Sequence, residues 1–186
     1  MILTDSLQRI AARELNVLKK SLAAVTGAAI LALAGNAAAQ DQNSTVKAKH
    51  GAWEIRCATQ NPEACLMTQT GNNPEGQPVL QALVRKTPGL TGPQGQAVPA
   101  VFEVIAPIGV FLPAGVAIKI DGREIGRGAY RVCNPQACLV AEPVQQDFID
   151  QLKKGSNAVM SITGANGETA DIPISLSGFT KAYNGL

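Results

Sequence analysis

The stretch that most constrains this 186-residue chain is Val101–Asp121, VFEVIAPIGVFLPAGVAIKID. It holds two short apolar runs, Val101–Ala106 and Val116–Ile120, joined by a connector carrying Pro107, Gly109, Pro113 and Gly115. β-branched runs of this length bounded by Gly and Pro read as strands, because those residues interrupt both a helix and a β-ladder. In the second run Val116, Ile118 and Ile120 alternate with Ala117, Lys119 and Asp121, the pattern of one buried and one wet face. In the first, Val101, Glu103 and Ile105 share a face. The expectation is two neighbouring strands at the centre of a sheet protein, followed by a turn at Asp121-Gly122. Ile108, Val110, Phe111 and Leu112 crowd the connector, too many for so short a segment to turn inward. Some of that apolar area should lie exposed or cover a sheet edge, and exposed it would suit a protein partner.

Residues 1–39 read as a targeting segment. A polar stretch ending in Lys19-Lys20 precedes the apolar run Ser21–Gly35, and Ala37-Ala38-Ala39 follows. A basic lead, a short apolar core and an A-x-A site describe a secretory signal peptide, cleaved after Ala39. A membrane anchor would need about 20 apolar residues, more than this run offers. The formal charge of +2 resides in this segment, where Arg9, Arg13, Lys19 and Lys20 outnumber Asp5 and Glu14. The mature chain is then neutral. It has no basic stripe for nucleic acid and no basic amphipathic helix for a membrane surface. The expected organisation is a signal peptide over 1–39, a mobile lead-in over 40–50 and one β-domain over 51–186. The expected location is the periplasm, the outer membrane surface or the medium, with no membrane span after cleavage.

Further along, Trp53, Ile55 and Cys57 alternate with Glu54 and Arg56, a half-buried strand whose return is Cys65–Thr70. Pro78–Lys86 is apolar enough for another strand. Thr87–Pro99, with Pro88, Gly89, Gly92, Pro93, Gly95 and Pro99, reads as a long mobile loop. Ala129–Cys133 and Cys138–Ala141 read as short strands around Asn134-Pro135. Pro143–Lys154 is expected to be an amphipathic helix: Pro143 suits its first position, Val144, Phe148 and Leu152 recur along one face, and Gly155 suits its end. Asn157–Gly164 and Glu168–Leu176 form a hairpin with Asn166-Gly167 as a type I′ signal. Phe179 and Tyr183, four apart, indicate a short helical tail.

Four cysteines stand at Cys57, Cys65, Cys133 and Cys138. The seven-residue gap is outside structural zinc spacing, and C-x-x-C is absent. In an exported chain an even number of cysteines reads as a disulfide framework. Chain entropy favours a long bridge, about 4.5 kcal/mol against about 2–2.6 for each local one. Each local pair flanks a predicted tight turn, however, which brings its Cα atoms near the roughly 5.5–6 Å typical of a disulfide. Cys57–Cys65 and Cys133–Cys138 are the expected bridges.

Candidate chemistry is thin. Ser161, Ser175 and Ser177 lack a G-x-S-x-G context, and His50, the one histidine, lies in the polar lead-in, so a Ser–His mechanism has little support. Asp147 and Asp150 read as a solvated helix face. Asp121 with Arg123 and Arg127 reads as ordinary turn charge, and Trp53 and Tyr130 as core before ligand platform. No catalytic, metal or cofactor residue is assigned, and the chain is expected not to be an enzyme.

A resemblance follows from four motifs in order: Trp53-x-x-x-Cys57 with Cys65, APIGVFLPAGVAIKID at Ala106–Asp121, CNPQACLV at Cys133–Val140, and ISLSGF at Ile174–Phe179. Together they resemble the invasion-associated locus B family of exported Gram-negative bacterial proteins; Ala137 departs from the Gly expected before the second cysteine. The resemblance implies an all-β, immunoglobulin-like β-sandwich, here with one amphipathic helix and a short C-terminal helical tail, and it carries over no catalytic residue. The expected function is binding of a protein partner in the envelope or on a host cell, through Ile108, Val110, Phe111 and Leu112. A periplasmic small-ligand binding module is the alternative.

Overall fold

In the computed structural model, which describes residues 43–186, eleven strands form two antiparallel sheets. The first five are β1 (Ser44–His50), β2 (Trp53–Ala58), β3 (Asn61–Asn72), β4 (Pro78–Lys86) and β5 (Ala100–Ala106). They run as a meander, because each connection is short or folds back on itself. Strand β6 (Val116–Ile120) and β7 (Arg123–Gly128) belong to the other sheet, β8 (Tyr130–Cys133) and β9 (Cys138–Val144) return to the first, and β10 (Asn157–Thr163) and β11 (Thr169–Ser175) complete the second. The orders are β1-β2-β3-β4-β5-β9-β8 and β11-β10-β6-β7. Helix α1 (Gln146–Lys154) joins β9 to β10, and α2 (Phe179–Asn184) ends the chain. The expected all-β sandwich with one amphipathic helix and a helical tail is present.

Alternation sets the core. Trp53, Ile55 and Cys57 on β2, and Ala100, Phe102, Val104 and Ala106 on β5, face inward and are buried. Val116, Ile118 and Ile120 on β6 meet them from the other sheet with Ala158, Met160 and Ile162 on β10 and Ile172 and Ile174 on β11. The two runs of Val101–Asp121 are therefore not neighbours but lie in opposite sheets. Each needs its own apolar face covered, and facing one another across the core satisfies both.

The lead-in is also corrected: Ser44–His50 pairs with β2, from Ser44 opposite Ala58 to His50 opposite Trp53. Its polar sequence suits an edge strand, with alternate side chains in water. Thr87–Pro99 folds back on itself as a narrow hydrogen-bonded hairpin, with Thr87 N–H donating to Pro99 O at 3.0 Å and Val98 buried. Helix α1 begins at Gln146 because Pro143 and Val144 remain in β9, opposite Val101 and Ala100. Strand β8 ends its pairing before Pro143, so the missing N–H of that proline falls on an open side. The apolar stripe of α1 is Ile149 and Leu152, with Phe148 edge-on to Phe102 at 5.5 Å. The type I′ geometry expected at Asn166-Gly167 appears instead at Asp121-Gly122, where φ is 46° and 85°. At the later hairpin only Gly167 has positive φ, and Gly167 N–H closes a longer loop onto Gly164 O at 2.9 Å.

Both expected disulfides are present, Cys57–Cys65 and Cys133–Cys138. Their Cα atoms are 4.0 Å apart in each case, closer than a loop-closing bridge would require. The cysteines are directly opposed cross-strand partners, the closest placement an antiparallel ladder provides. The expected signal peptide, residues 1–39, lies outside the described residues.

The tail is locked to the first hairpin by glycine. Gly178 has φ 85°, and a Cβ there would overlap the His50 carbonyl; Ala52 N–H donates to Ser177 O at 3.1 Å. Gly178→Ala should lower the unfolding free energy by about 2–4 kcal/mol, combining left-handed strain with the overlap, as read by urea unfolding followed through Trp53 fluorescence. Serine at both Cys133 and Cys138 should cost about 2 kcal/mol in the same assay, because the bridge closes only a short loop.

Candidate functional site

The line of β6 continues past Val116. Val110 bridges Gly164 in antiparallel fashion, Ala165 N–H donates to Gly109 O at 2.8 Å, and Phe111 N–H donates to Thr163 O at 2.7 Å. The next rung is Val116 opposite Ile162. Gly109 and Val110 thus extend β6 beside β10, and residues 111–115 are looped out between two rungs.

That loop is fastened along its length. A 3-10 turn, Leu112–Ala114, is closed by Ala114 N–H to Phe111 O at 3.0 Å and Gly115 N–H to Leu112 O at 3.2 Å. Arg127 Nη1 donates to Ala114 O at 2.8 Å, while its Nη2 pairs with Glu124 at 3.2 Å. Gly115, at φ 61°, packs so closely on Gly128 O that a Cβ would overlap it. The loop leaves Ile108 57%, Phe111 50% and Leu112 52% exposed, while Val110 is partly covered. Three of the six exposed large hydrophobic side chains among the described residues therefore fall within five positions.

A groove of about 310 Å³ adjoins the loop where the connector faces the β10–β11 hairpin. Ile108, Val110, Ile162 and Ala170 line it, and Asn166 and Glu168 stand at its rim. Glu168 is its one charged lining residue and forms no ion pair among the described residues. Asn166 Nδ2 donates to its carboxylate at 2.7 Å, and Asn166 Oδ1 accepts from Glu168 N–H at 3.1 Å, which orients that side chain. Asn166 and Glu168 escape a reading along the chain. The hairpin signal places them at a tip, but only the fold brings that tip beside the connector.

The sheet edges offer less. Edge strand β1 carries Lys47 and Lys49 and a register shift between Val46 and Ala48; β8 is four residues long with its own shift. Strand β7 carries Arg123, Arg127, Gly126 and Gly128. Strand β11 has Pro173, and its end at Ser175 is capped by Gln69. Short length, charge, bulges and proline all discourage strand addition.

The other candidates are placed in structural roles. Trp53 is core, donating its indole N–H to Ser175 O at 2.9 Å and lying edge-on to Phe179 at 5.2 Å. Burial pushes the Tyr130 phenol up, and its hydroxyl has no partner among the described residues. The Asp121 carboxylate accepts from Ser156 and Asn157 N–H at 3.1 and 3.0 Å, fastening the α1–β10 junction to the β6–β7 turn, and Arg127 holds the loop. Asp147 and Asp150 lie on α1, where Asp150 accepts from Gln146 at 2.8 Å. Ser175 Oγ accepts from Ser177 N–H at 3.2 Å. Ser161 donates to Asp171, whose second oxygen is 3.5 Å from Lys119. None of these serines hydrogen-bonds the His50 ring among the described residues. Nor do those residues contain a cluster of three His, Cys, Asp or Glu arranged to hold a metal.

Comparison with known proteins agrees with this architecture. The family model described as "Invasion associated locus B (IalB) protein" matches residues 53–186. Invasion protein B homologs from Brucella abortus strain 2308 and biovar 1 strain 9-941 are each 29% identical over 144 residues, covering 76% of this chain and 79% of theirs. The crystal structure of invasion associated protein B from Bartonella henselae aligns with a TM-score of 0.59 at 20% identity, over 76% of this chain and 95% of that one. At that identity the likeness speaks for the fold.

The Asp171 carboxyl is held below its ordinary 3.8, first by the Ser161 hydroxyl and then by Lys119, with desolvation opposing. A folded-state pKa below the unfolded value stabilises above the unfolded pKa, and that contribution fades as pH falls through the folded one. Wild type should therefore unfold at higher temperature than Asp171→Asn near neutral pH. The difference should shrink steadily in thermal melts taken from about pH 5 downward.

Proposed function

The chain belongs to the invasion associated locus B family, and from that premise we propose an exported, non-catalytic protein-binding factor of the cell envelope or the host interface. Its contact surface is the looped-out segment, with Phe111 and Leu112 at its crest and Ile108 and Val110 at its base. The observation that carries this reading is the half-exposed Phe111 and Leu112 on a loop pinned by backbone bonds, Arg127 and Gly115, with the half-exposed Ile108 at its base. Exposed apolar area in one place marks a contact site. Fixing it in advance lowers the ordering entropy of association.

Export is supported by the signal-like residues 1–39 and by the two disulfides, which persist in oxidising compartments. No helix among the described residues is long and apolar enough to cross a membrane. Invasion figures in the names of the relatives; for this chain, host contact belongs to the proposal. Catalysis near neutral pH usually needs a tuned titratable group or a metal. The polar clusters among the described residues serve as caps, turns and sheet-surface pairs instead.

Phe111→Ser should remove most of the partner recovered by mild crosslinking and affinity capture from envelope extract. Its thermal midpoint should move by no more than about 2 °C, since substitutions at exposed positions usually change stability by only about 0.5 kcal/mol. Unchanged recovery, or loss of the folded state, would remove this surface from consideration. The exported protein should have the intact mass of a chain beginning at Gln40; a mass retaining residues 21–39 would contradict cleavage. His50→Ala should leave recovery unchanged.

A further inference from the structure

Building on the protein-binding reading, we propose that the groove beside the loop seats an extended segment of the partner. An apolar side chain of that segment lies on Ile108, Val110, Ile162 and Ala170, and an adjacent lysine or arginine meets Glu168. Three observations bear on the occupant.

The first is area. Ile108, Phe111 and Leu112, each about half exposed, offer a few hundred Å² at most. A stable protein–protein interface takes roughly 800 Å² from each partner, so a second copy docking symmetrically through this patch would fall well short. A short segment needs no more than the patch supplies.

The second is charge. Asp171, which follows the groove-lining Ala170 in β11, is already engaged by Ser161 and Lys119, and Glu124 by Arg127. Among the described residues, Glu168 alone lines the groove with a charge that has no ion partner, and Asn166 holds its carboxylate in position. A basic group completes that site, and an acidic one is repelled.

The third is shape. The groove, about 310 Å³ and open along one side, is at the small end for a site that encloses a free small molecule, roughly 300–1,000 Å³. It accommodates one or two side chains while the rest of a chain runs across Phe111 and Leu112.

The test uses isotope-labelled protein recovered in its oxidised, exported form and two capped peptides, acetyl-GLKFLG-amide and acetyl-GLEFLG-amide. Amide shifts on titration should concentrate at residues 107–112 and 164–170. The lysine peptide should bind about two- to five-fold more tightly, the range expected of one exposed ion pair. Glu168→Gln should erase that preference and leave the apolar contact in place. Equal affinity for both peptides, shifts elsewhere on the domain, or a preference that survives Glu168→Gln would overturn the proposal, as would self-association through this face. Failure here with Phe111-dependent partner recovery intact rejects the groove's occupant alone, whereas loss of Phe111 dependence rejects the protein-binding reading itself.

Discussion

The two sheets are knotted together at Ser175. Its carbonyl accepts from the Trp53 indole at 2.9 Å and the Gln69 amide at 2.8 Å, and its N–H donates to Gln69 Oε1 at 2.8 Å. Gln69 thus acts as a surrogate strand for the end of β11. A buried backbone group left without a partner costs about 1–3 kcal/mol, so this side chain lets an edge strand be covered by the opposite sheet. Gly71, two residues on, has no side chain to collide with Ile172 and Ile174, and it permits the close approach of β3 to β11. Aromatic packing extends the knot: Trp53 lies edge-on to Phe179, which stacks on Tyr183 at 6.1 Å.

This arrangement explains why both disulfides are local. Each joins adjacent strands of the seven-stranded sheet, so neither spans the core. Cohesion between the sheets is left to apolar burial and to Ser175. The bridges instead stiffen the β2–β3 and β8–β9 hairpins, whose connecting turns carry little apolar surface of their own.

The looped-out segment is a consequence of the same architecture. The chain must leave β5 in one sheet and enter β6 in the other, and it does so by first pairing Gly109 and Val110 beside the β10–β11 hairpin. After the Phe111 N–H bond to Thr163 O, the residues up to Val116 have no ladder to join. Their apolar side chains face water, and the surrounding contacts hold them there. The same crossing places Ile108 and Val110 against the hairpin tip, where Asn166 and Glu168 stand.

Most strands, the inward face of β2, the cysteine pairing and the helical tail were legible in the residues because each depends on local period or spacing, whereas β7, read as turn charge around Arg123 and Arg127, takes its order from the ladder with β6. The alternation of Trp53, Ile55 and Cys57 requires no distant partner to be recognised, and neither does the i, i+4 spacing of Phe179 and Tyr183. The crowding of Ile108–Leu112 likewise announces apolar surface. Sheet membership was not legible: two strand-like runs in sequence look alike whether they pair or face each other, and only burial of both apolar faces places β5 and β6 in opposite sheets. Nor could the polar Ser44–His50 declare itself a strand, since its order comes from the ladder with β2. The Ser175 knot, the Arg127 tether and the union of connector with hairpin tip join residues tens of positions apart. Local sequence determines which segments extend and which cysteines meet, because those are short-range properties. The surface that a partner would touch is set by long-range contacts, and only the tertiary structure decides those.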